Sequence, residues 1–174
     1  MKSIVIYNSQ TGFTKQYAEW ISQEAGCECV SLKKTAKINL SDYDSVVFGS
    51  WCMAGTLTKL DWFKKKIPSL SKAGKKLIVF AVGASPSESP EMQASLEKML
   101  SEDEKKVTKL FYCPGGLNYE KMSGFSRFVM KIFAKALASK KGATEEDKMQ
   151  AEMVARSYDI SNKNYIQPIV AEIK

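Results

Sequence analysis

Residues 8–14, Asn8-Ser9-Gln10-Thr11-Gly12-Phe13-Thr14, follow the apolar run Ile4–Tyr7. This stretch places three hydroxyl side chains and a glycine between a predicted strand and a predicted helix, Thr14–Ala25. Backbone N–H groups and the helix dipole at such a helix N-terminus favour an anion, and hydroxyl groups add donors. The stretch therefore predicts a phosphate-binding turn. The alternative is an ordinary capping turn in which Ser9 or Thr11 is the N-cap.

Several residue types and motifs that would support other chemistry are missing. The turn matches neither the lysine-containing phosphate loop of NTPases nor the G-x-G-x-x-G turn of dinucleotide-binding domains, which disfavours both classes. The chain has no histidine. This removes the commonest general base, the usual Ser-His and Cys-His pairs, and most catalytic zinc sites. We therefore expect a cofactor to supply the chemistry.

The hydrophobic pattern around this turn alternates between short apolar runs and stretches with helical spacing. Further strands are predicted at Cys27–Leu32, Val46–Gly49, Leu77–Val82 and Val107–Cys113. Further helices are predicted at Leu60–Leu70 and Pro90–Leu100, and only a short helix fits within Lys33–Asp44. This order predicts right-handed βαβ units and a parallel sheet with helices on both faces. With 174 residues, 44% of them hydrophobic, we expect one doubly wound α/β domain over residues 1–174.

The segment after the last predicted strand is longer than one closing helix requires. A basic amphipathic helix is predicted over Tyr119–Lys141, followed by a polar link at Gly142–Asp147. A terminal helix is predicted near Lys163–Ile173, where Pro168 marks either a kink or the first turn.

The predicted basic helix carries much of the formal net charge of +7. Its apolar side chains recur at helical spacing, and Arg127, Lys131 and Lys135 form a narrow positive stripe. The apolar residues are Met122, Phe125, Val129, Ile132, Phe133 and Ala136. Such a helix can lie on an anionic membrane surface, engage an acidic partner, or cover the sheet with its charges in water. Nucleic acid is disfavoured because no recognised motif accompanies the charge.

Cysteine usage and the first residues favour the cell interior. Cys27 and Cys29 form a C-x-C pair, which is not the spacing of a zinc ribbon or of a thioredoxin-like site. The run Ile4–Tyr7 is too short for a signal peptide, and no stretch is long and apolar enough to predict a transmembrane helix. We expect a cytoplasmic protein, with peripheral contact at the inner face of the cell membrane as an option.

The turn Ser9–Thr14 resembles the phosphate loop of the flavodoxin-like FMN-binding family, which holds the FMN phosphate without a lysine. The resemblance continues through Asp42–Ser50, a strand leading into the first flavin-side loop, and through Val82–Pro86, where the second flavin-side loop belongs. It implies a flavodoxin-like sheet of five parallel strands in the order 2-1-3-4-5, with FMN as the cofactor. It also implies which residues contact FMN.

Those residues belong to three loops. The first would hold the phosphate, and the other two would lie on either side of the flavin ring. They are Ser9, Gln10, Thr11, Gly12, Phe13 and Thr14; Ser50, Trp51, Cys52, Met53, Ala54 and Gly55; and Gly83, Ala84 and Ser85. No catalytic side chain and no metal ligand is expected.

The later part of the chain is similar to one branch of this family. Phe111–Met122 and Phe128–Phe133 resemble the flavodoxin-type protoporphyrinogen oxidases and their relatives. The resemblance implies a flavoprotein oxidoreductase that oxidises a small organic substrate and passes electrons to a quinone or a redox partner protein. The alternatives are an electron-transfer protein and an interaction module that has lost redox function.

The second flavin-side loop differs from that of many flavodoxins. Gly83–Ser87 contains no aromatic residue, although many flavodoxins place a tyrosine there against the flavin. If Ala84 and Ser85 face the ring, part of the flavin stays open, which suits a bound substrate. Neither Ser50–Thr58 nor Gly83–Ser87 contains an acidic residue, so we expect a higher reduction potential than in an acidic flavodoxin.

Overall fold

Eight strands and eight helices make up the computed structural model, which describes residues 1–174 apart from the side chain of residue 146. The strands are β1 (Ser3–Tyr7), β2 (Glu28–Ser31), β3 (Ser45–Met53), β4 (Thr56–Leu57), β5 (Lys76–Gly83), β6 (Thr108–Pro114), β7 (Gly116–Leu117) and β8 (Tyr158–Asp159). The helices are α1 (Phe13–Ala25), α2 (Leu60–Lys64), α3 (Ile67–Lys72), α4 (Pro90–Met99), α5 (Glu102–Val107), α6 (Gly124–Ala138), α7 (Glu145–Val154) and α8 (Gln167–Ile173). Short 3₁₀ turns occupy Leu32–Lys37, Leu40–Asp42 and Lys163–Ile166.

The five long strands are parallel and lie in the order β2-β1-β3-β5-β6. Counted along the chain without the short β4, this is the order 2-1-3-4-5, so the predicted fold is confirmed. Tyr7 lies beside Gly49, and Gly49 lies beside Phe80. The loops after β1, β3 and β5 therefore leave the same edge of the sheet, where the strand order reverses.

Each face of the sheet is covered by its own hydrophobic core. On one face, Phe48 stacks on Phe63 with ring centroids 5.3 Å apart, and the core continues to Leu100. On the other face, Tyr17 and Ile21 of α1 pack with Ile169 and other residues of α8. Because both faces are covered, the central strands read as nearly continuous apolar runs rather than as an alternating pattern.

Helix boundaries differ from the predicted ones where local chemistry interrupts the pattern. The predicted helix Leu60–Leu70 is two helices, because Pro68 in the first turn of α3 lacks an N–H and cannot sit inside a continuous helix. Helix α5 was not predicted, although Ser101 and Glu104 form a capping box at its start. Pro168 lies in the first turn of α8, which settles the choice between a kink and a first turn.

The chain between Leu117 and Tyr158 leaves the sheet and returns to it through a two-stranded ribbon. Strands β7 and β8 pair antiparallel, with Leu117 opposite Tyr158 and Gly116 opposite Asp159. A Cβ atom on Gly116 would lie 2.1 Å from the carbonyl oxygen of Tyr158, so only glycine permits this approach. Residues 118–157, with α6 and α7, form a single excursion closed at its base.

The predicted basic helix over Tyr119–Lys141 is shorter in the structure, and the link Gly142–Asp147 was predicted incorrectly. The Asn118 side chain accepts the backbone N–H of Lys121 in a turn, and α6 begins only after Ser123, whose hydroxyl caps it. Helix α7 starts at Glu145, because Thr144 and Asp147 form a capping box. Within the described residues, no helix has the length and apolar character needed to cross a bilayer.

Candidate functional site

A cavity of about 450 Å³ lies over the carboxyl ends of β1, β3 and β5. Three loops, 9–14, 51–55 and 83–86, form one wall of the cavity, which we call the floor. The opposite wall of the cavity comes from the excursion 118–157, which we call the roof. Cavities of this size at the switch point of a parallel sheet are typical ligand sites.

The first floor loop leaves the N-terminus of α1 without a side-chain cap. Gly12 is the N-cap residue, in the left-handed region with φ +108°, and no side chain accepts the first N–H groups of the helix. The Ser9 hydroxyl instead accepts the N–H of Gly12 at 3.2 Å. The first turn of α1 contains no acidic residue. An uncapped helix start without carboxylates favours a bound anion, and it disagrees with the alternative of an ordinary capping turn.

A polar cluster joins the first two floor loops beneath the cavity. The Asn8 amide donates to the hydroxyls of Ser50 and Thr58, at 3.0 and 3.1 Å. The Ser50 and Thr58 hydroxyls are 2.8 Å apart, and Thr58 also donates to the carbonyl of Trp51. Ser50 is fully buried. This cluster fixes the spacing between the loop that follows β1 and the loop that follows β3.

The second floor loop is a tight hairpin between β3 and β4. Cys52 pairs with Leu57 and Met53 with Thr56, which leaves Ala54 and Gly55 at the tip. Both tip residues have positive φ, 49° for Ala54 and 75° for Gly55, as the type I′ turn requires. Trp51 and Met53 line the cavity beside this tip.

Two tyrosine hydroxyls hold the third floor loop from outside. Tyr112 of β6 donates to the carbonyl of Ser85 at 2.6 Å, and Tyr158 of β8 donates to the carbonyl of Ala84 at 2.6 Å. Burial raises the pKa of both phenols, and that of Tyr158 reaches about 12. Both hydroxyls therefore keep their protons at neutral pH. Tyr158 also lines the cavity, so the ribbon supplies an aromatic ring next to a loop that has none.

The roof closes the cavity with apolar side chains from both of its helices. Helix α6 contributes Met122 from the turn before it, with Val129, Met130 and Phe133, while α7 contributes Met153. The Ser126 hydroxyl donates to the side-chain oxygen of Gln10 at 3.3 Å and so joins the roof to the floor. Five of the eight methionines line the cavity. Methionine is flexible and polarisable, so these walls can adapt to the shape of a ligand.

Charge around the cavity is sparse. Glu91 is the one charged residue that lines it, and its side chain is exposed. Hydrogen bonds from its own backbone N–H and from Ser89 lower the pKa of the Glu91 carboxyl, which is therefore ionised at neutral pH. Glu88 and Asp61 do not line the cavity. A ligand here meets an apolar surface with a single carboxylate at its edge.

The cysteine in the second floor loop is not poised for redox chemistry. Cys52 lines the cavity, but burial raises the pKa of its thiol to about 12. The thiolate, which is the reactive form, is therefore scarce at neutral pH. Among the described residues, no group of His, Cys, Asp and Glu could hold a metal ion.

Comparison with known proteins identifies the family. The sequence profile of the flavodoxin domain matches residues 4–147.

The chain belongs to the flavodoxin domain family. Its cofactor is FMN. The residues at the site fit this molecule, because the uncapped start of α1 can accept its phosphate and the position beside Gly12, where a Cβ would meet nothing within 4 Å, leaves room for it.

Solved structures with this flavodoxin fold resemble the chain at low identity. The Trp repressor binding protein from Bacillus subtilis is 15% identical over 67% of this chain and 88% of its own, with a TM-score of 0.50. Oxidised flavodoxin 2 from Bacillus cereus is 17% identical over 89% and 98%, with a TM-score of 0.44. A flavodoxin from the domain Archaea is 16% identical over 99% of both chains, with a TM-score of 0.42. The first of these supports the fold alone. No protein with a curated description matches the sequence.

The structure brings most of the predicted flavodoxin site residues to the cavity wall. These are Gln10, Thr11, Phe13, Thr14, Trp51, Cys52, Met53, Ala54, Gly55, Gly83, Ala84 and Ser85. Ser9 and Ser50 instead bond within the floor, and Gly12 lines a neighbouring shallow depression together with Lys121. Direct contact of each residue with FMN stays a prediction.

Sequence patterns did not indicate the cavity-lining residues of α4, the roof and the ribbon. Met92, Met153 and Tyr158 line the cavity although nothing in their spacing relates them to the phosphate loop. The available signal for α7 was the Thr144–Asp147 capping box, which was interpreted as part of a polar link.

Proposed function

We propose that this flavodoxin-family protein is an FMN-dependent oxidoreductase that acts on an organic molecule held between the flavin and the roof. The observation that carries the proposal is the second wall of the cavity. The floor loops alone would suffice to bind FMN, but α6 and α7 add an apolar, methionine-lined surface opposite them. An electron carrier needs an accessible flavin edge, whereas an enzyme gains from a walled compartment that excludes water.

Each part of the floor has a distinct task in this proposal. The loop Ser9–Thr14 and the start of α1 hold the FMN phosphate, with Thr11 as a hydroxyl donor. The isoalloxazine ring lies between the loop Trp51–Gly55 and the loop Gly83–Ser85. The cluster around Ser50 ties the second loop to the first, and the Tyr112 and Tyr158 hydroxyls hold the third loop in place.

Bound FMN supplies hydride or single-electron transfer, and the chain positions the reactants. The cavity contains no histidine and only one carboxylate, Glu91 at its edge, so no side chain is an obvious general acid or base. The Tyr158 proton is already donated to the carbonyl of Ala84. The roof therefore contributes binding, orientation and exclusion of water.

The proposed substrate class is a largely apolar organic molecule that is oxidised. A quinone or a redox partner protein accepts its electrons. A porphyrinogen-type ring is one candidate within this class, supported by the resemblance of Phe111–Met122 to protoporphyrinogen oxidases. The proposed location is the cytoplasm. Peripheral membrane contact would use Arg127, Lys131 and Lys135.

The visible absorption spectrum of the purified protein tests the proposal first. We expect a flavin spectrum, and FMN as the molecule released on denaturation. Anaerobic addition of a reduced apolar substrate, such as a porphyrinogen, should then bleach the flavin at a rate that saturates with substrate concentration. A protein that binds no added FMN contradicts the cofactor assignment. A flavin reduced only by partner proteins would favour the electron carrier.

A further inference from the structure

Helix α6 carries large apolar side chains on its outer surface as well as toward the cavity. The exposed fractions are 69% for Phe125, 61% for Phe128 and 54% for Ile132. Most large apolar residues elsewhere in the described chain are buried. Three such residues within two turns of one helix form a contiguous patch, and patches of this kind mark interaction sites.

The side chains of α6 divide into three stripes. Ser126 and Met130 point inward, toward the cavity. Phe125, Phe128 and Ile132 recur at i, i+3 and i+7, which places them on one outer face. Arg127, Lys131 and Lys135 recur every four residues along the adjoining face. In the described part of the chain, Lys131 and Lys135 form no ion pair. The two outer stripes together we call the docking face.

We propose that the docking face lies on the surface of an anionic lipid bilayer, with Phe125, Phe128 and Ile132 among the acyl chains and Lys131 and Lys135 at the headgroups. Basic residues that border exposed aromatic and aliphatic side chains are the pattern of interfacial helices. Helix α6 has 15 residues and is about 22 Å long at 1.5 Å per residue, so it suits a position along the surface.

A bilayer fits this face better than another protein does. A second copy of the chain would bring the same positive stripe against itself, and like charges oppose each other. The apolar side chains stand on the outside of a single helix and form a convex ridge, which a fluid bilayer accepts without a matching groove. Negative lipid headgroups complement the cations beside the ridge.

The docking face is continuous with the cavity wall. Phe133 lines the cavity, is 49% exposed, and directly follows Ile132 of the docking face in the sequence. The membrane surface would thus lie one helix thickness from the ligand compartment. This last point rests on the proposed function, whereas the docking itself depends only on the surface of α6.

Co-sedimentation with lipid vesicles tests the proposal. The full chain is mixed with phosphatidylserine-rich vesicles and with phosphatidylcholine vesicles at an ionic strength of about 0.01 M, where charge screening is weak. We expect binding to the anionic vesicles, with little binding to the neutral ones. Lys131→Glu with Lys135→Glu should weaken binding by at least roughly 30-fold, since each cation near an anionic surface contributes about 1 kcal/mol, or about a factor of five. Arg127 stays unchanged, because it is half-buried and donates to the carbonyl of Glu120.

Two matched controls separate the docking face from general effects. Lys33→Glu with Lys34→Glu makes the same change in net charge at exposed positions beyond β2, the strand at the opposite edge of the sheet from β6. The double substitution Phe125→Ser with Phe128→Ser should weaken vesicle binding at least tenfold. This loss should persist at high salt, where the charges are screened. Val107→Ser removes an exposed apolar side chain outside the roof and should leave binding unchanged.

Four results would overturn the proposal. They are a wild-type protein that stays in the supernatant, an equal loss of binding in the Lys33/Lys34 variant, full binding by the Phe125/Phe128 variant, and a dimer in sedimentation velocity that the same variant dissociates. The last result would assign the face to a second copy. The flavin spectrum of each variant reports on the cofactor site separately, so failure of docking is distinguishable from failure of the proposed function.

Discussion

The floor and the roof of the cavity are built in different ways. The floor loops continue from β1, β3 and β5, most of whose residues are buried. The roof rests on few buried groups, with Ser126 as the buried residue of α6 and Ala151 and Val154 as those of α7. Local stability follows burial, so the floor should open only with global unfolding while the roof opens at lower cost. Cofactor binding thus belongs to the rigid part and ligand enclosure to the adaptable part.

Removing the roof is the strongest test of this division. Because Leu117 and Tyr158 face each other across the ribbon, residues 118–157 can be replaced by Asn-Gly, which favours a two-residue hairpin. We expect a folded protein that binds FMN with less than about a tenfold loss of affinity, or 1.4 kcal/mol. Iodide should quench its flavin fluorescence several-fold more strongly than in the wild type, since the flavin loses its cover. A truncated protein that folds and yet cannot bind FMN would show that the roof is part of the cofactor site.

Thr11→Ala tests the floor alone. A charge-assisted hydrogen bond from Thr11 to the FMN phosphate contributes about 1.5–3 kcal/mol, so FMN affinity should fall roughly 10- to 150-fold in a fluorescence titration. Ser126→Ala on the roof, which removes the bond to Gln10, is the matched hydroxyl deletion and should change the affinity far less. Equal effects of the two variants would erase the distinction between floor and roof.

Gly12→Val is a less selective alternative to Thr11→Ala. Gly12 has φ +108°, and a valine there is strained whether or not FMN is bound. Its loss of FMN affinity would therefore be mixed with a loss of stability of the free protein.

Tyr158→Phe addresses the point where the ribbon meets the floor. The variant loses the hydrogen bond to the Ala84 carbonyl, and we expect the free energy of unfolding to fall by about 1 kcal/mol. The pKa of Tyr158 is raised in the folded state, from 10 to about 12, so its contribution to stability is complete below pH 10 and is lost as the pH rises through 12. Urea unfolding across this range should show a smaller alkaline loss for the variant than for the wild type. An identical alkaline loss would mean that burial does not raise the pKa of Tyr158 in the folded protein.

Glu91→Gln should have the smallest effect. Glu91 is the one charge on the cavity wall, and its removal should make reduction of the bound FMN slightly easier. The side chain is exposed and screened by water, so spectroelectrochemical titration should give a small rise in potential. The wild-type potential should itself exceed that of an acidic flavodoxin. A very negative wild-type potential would favour the electron carrier.

Sequence reasoning succeeded where local pattern and tertiary position coincide. Val46–Gly49 and Leu77–Val82 are buried on both faces, so their composition alone predicted central strands, and the turn after Tyr7 has to lie at the strand edge. It failed for the roof. The spacing of the apolar residues in the basic helix predicts one apolar face, whereas Met122, Val129 and Phe133 line the cavity and Phe125 and Ile132 face outward. Helical spacing shows which apolar side chains lie close together on a helix, but it does not show which of them face a cavity and which face solvent. The ribbon could not be predicted from local sequence pattern, because its paired residues, such as Leu117 and Tyr158, are 41 positions apart.

The two cores become complete at different times while the chain is synthesised. The buried residues of the Phe48 core all lie between Ile4 and Leu100, whereas the Tyr17 core requires Ile166, Ile169 and Ile173. The Tyr17 hydroxyl also accepts the N–H of Asn162. Translation at 5–20 residues per second takes roughly 4 to 15 s to advance from Leu100 to Ile173. During that interval α1 can already pack on Val5, Val47 and Phe80 of the sheet, but its flank that later meets α8 stays uncovered, so this flank is the last part of the Tyr17 core to be shielded from water.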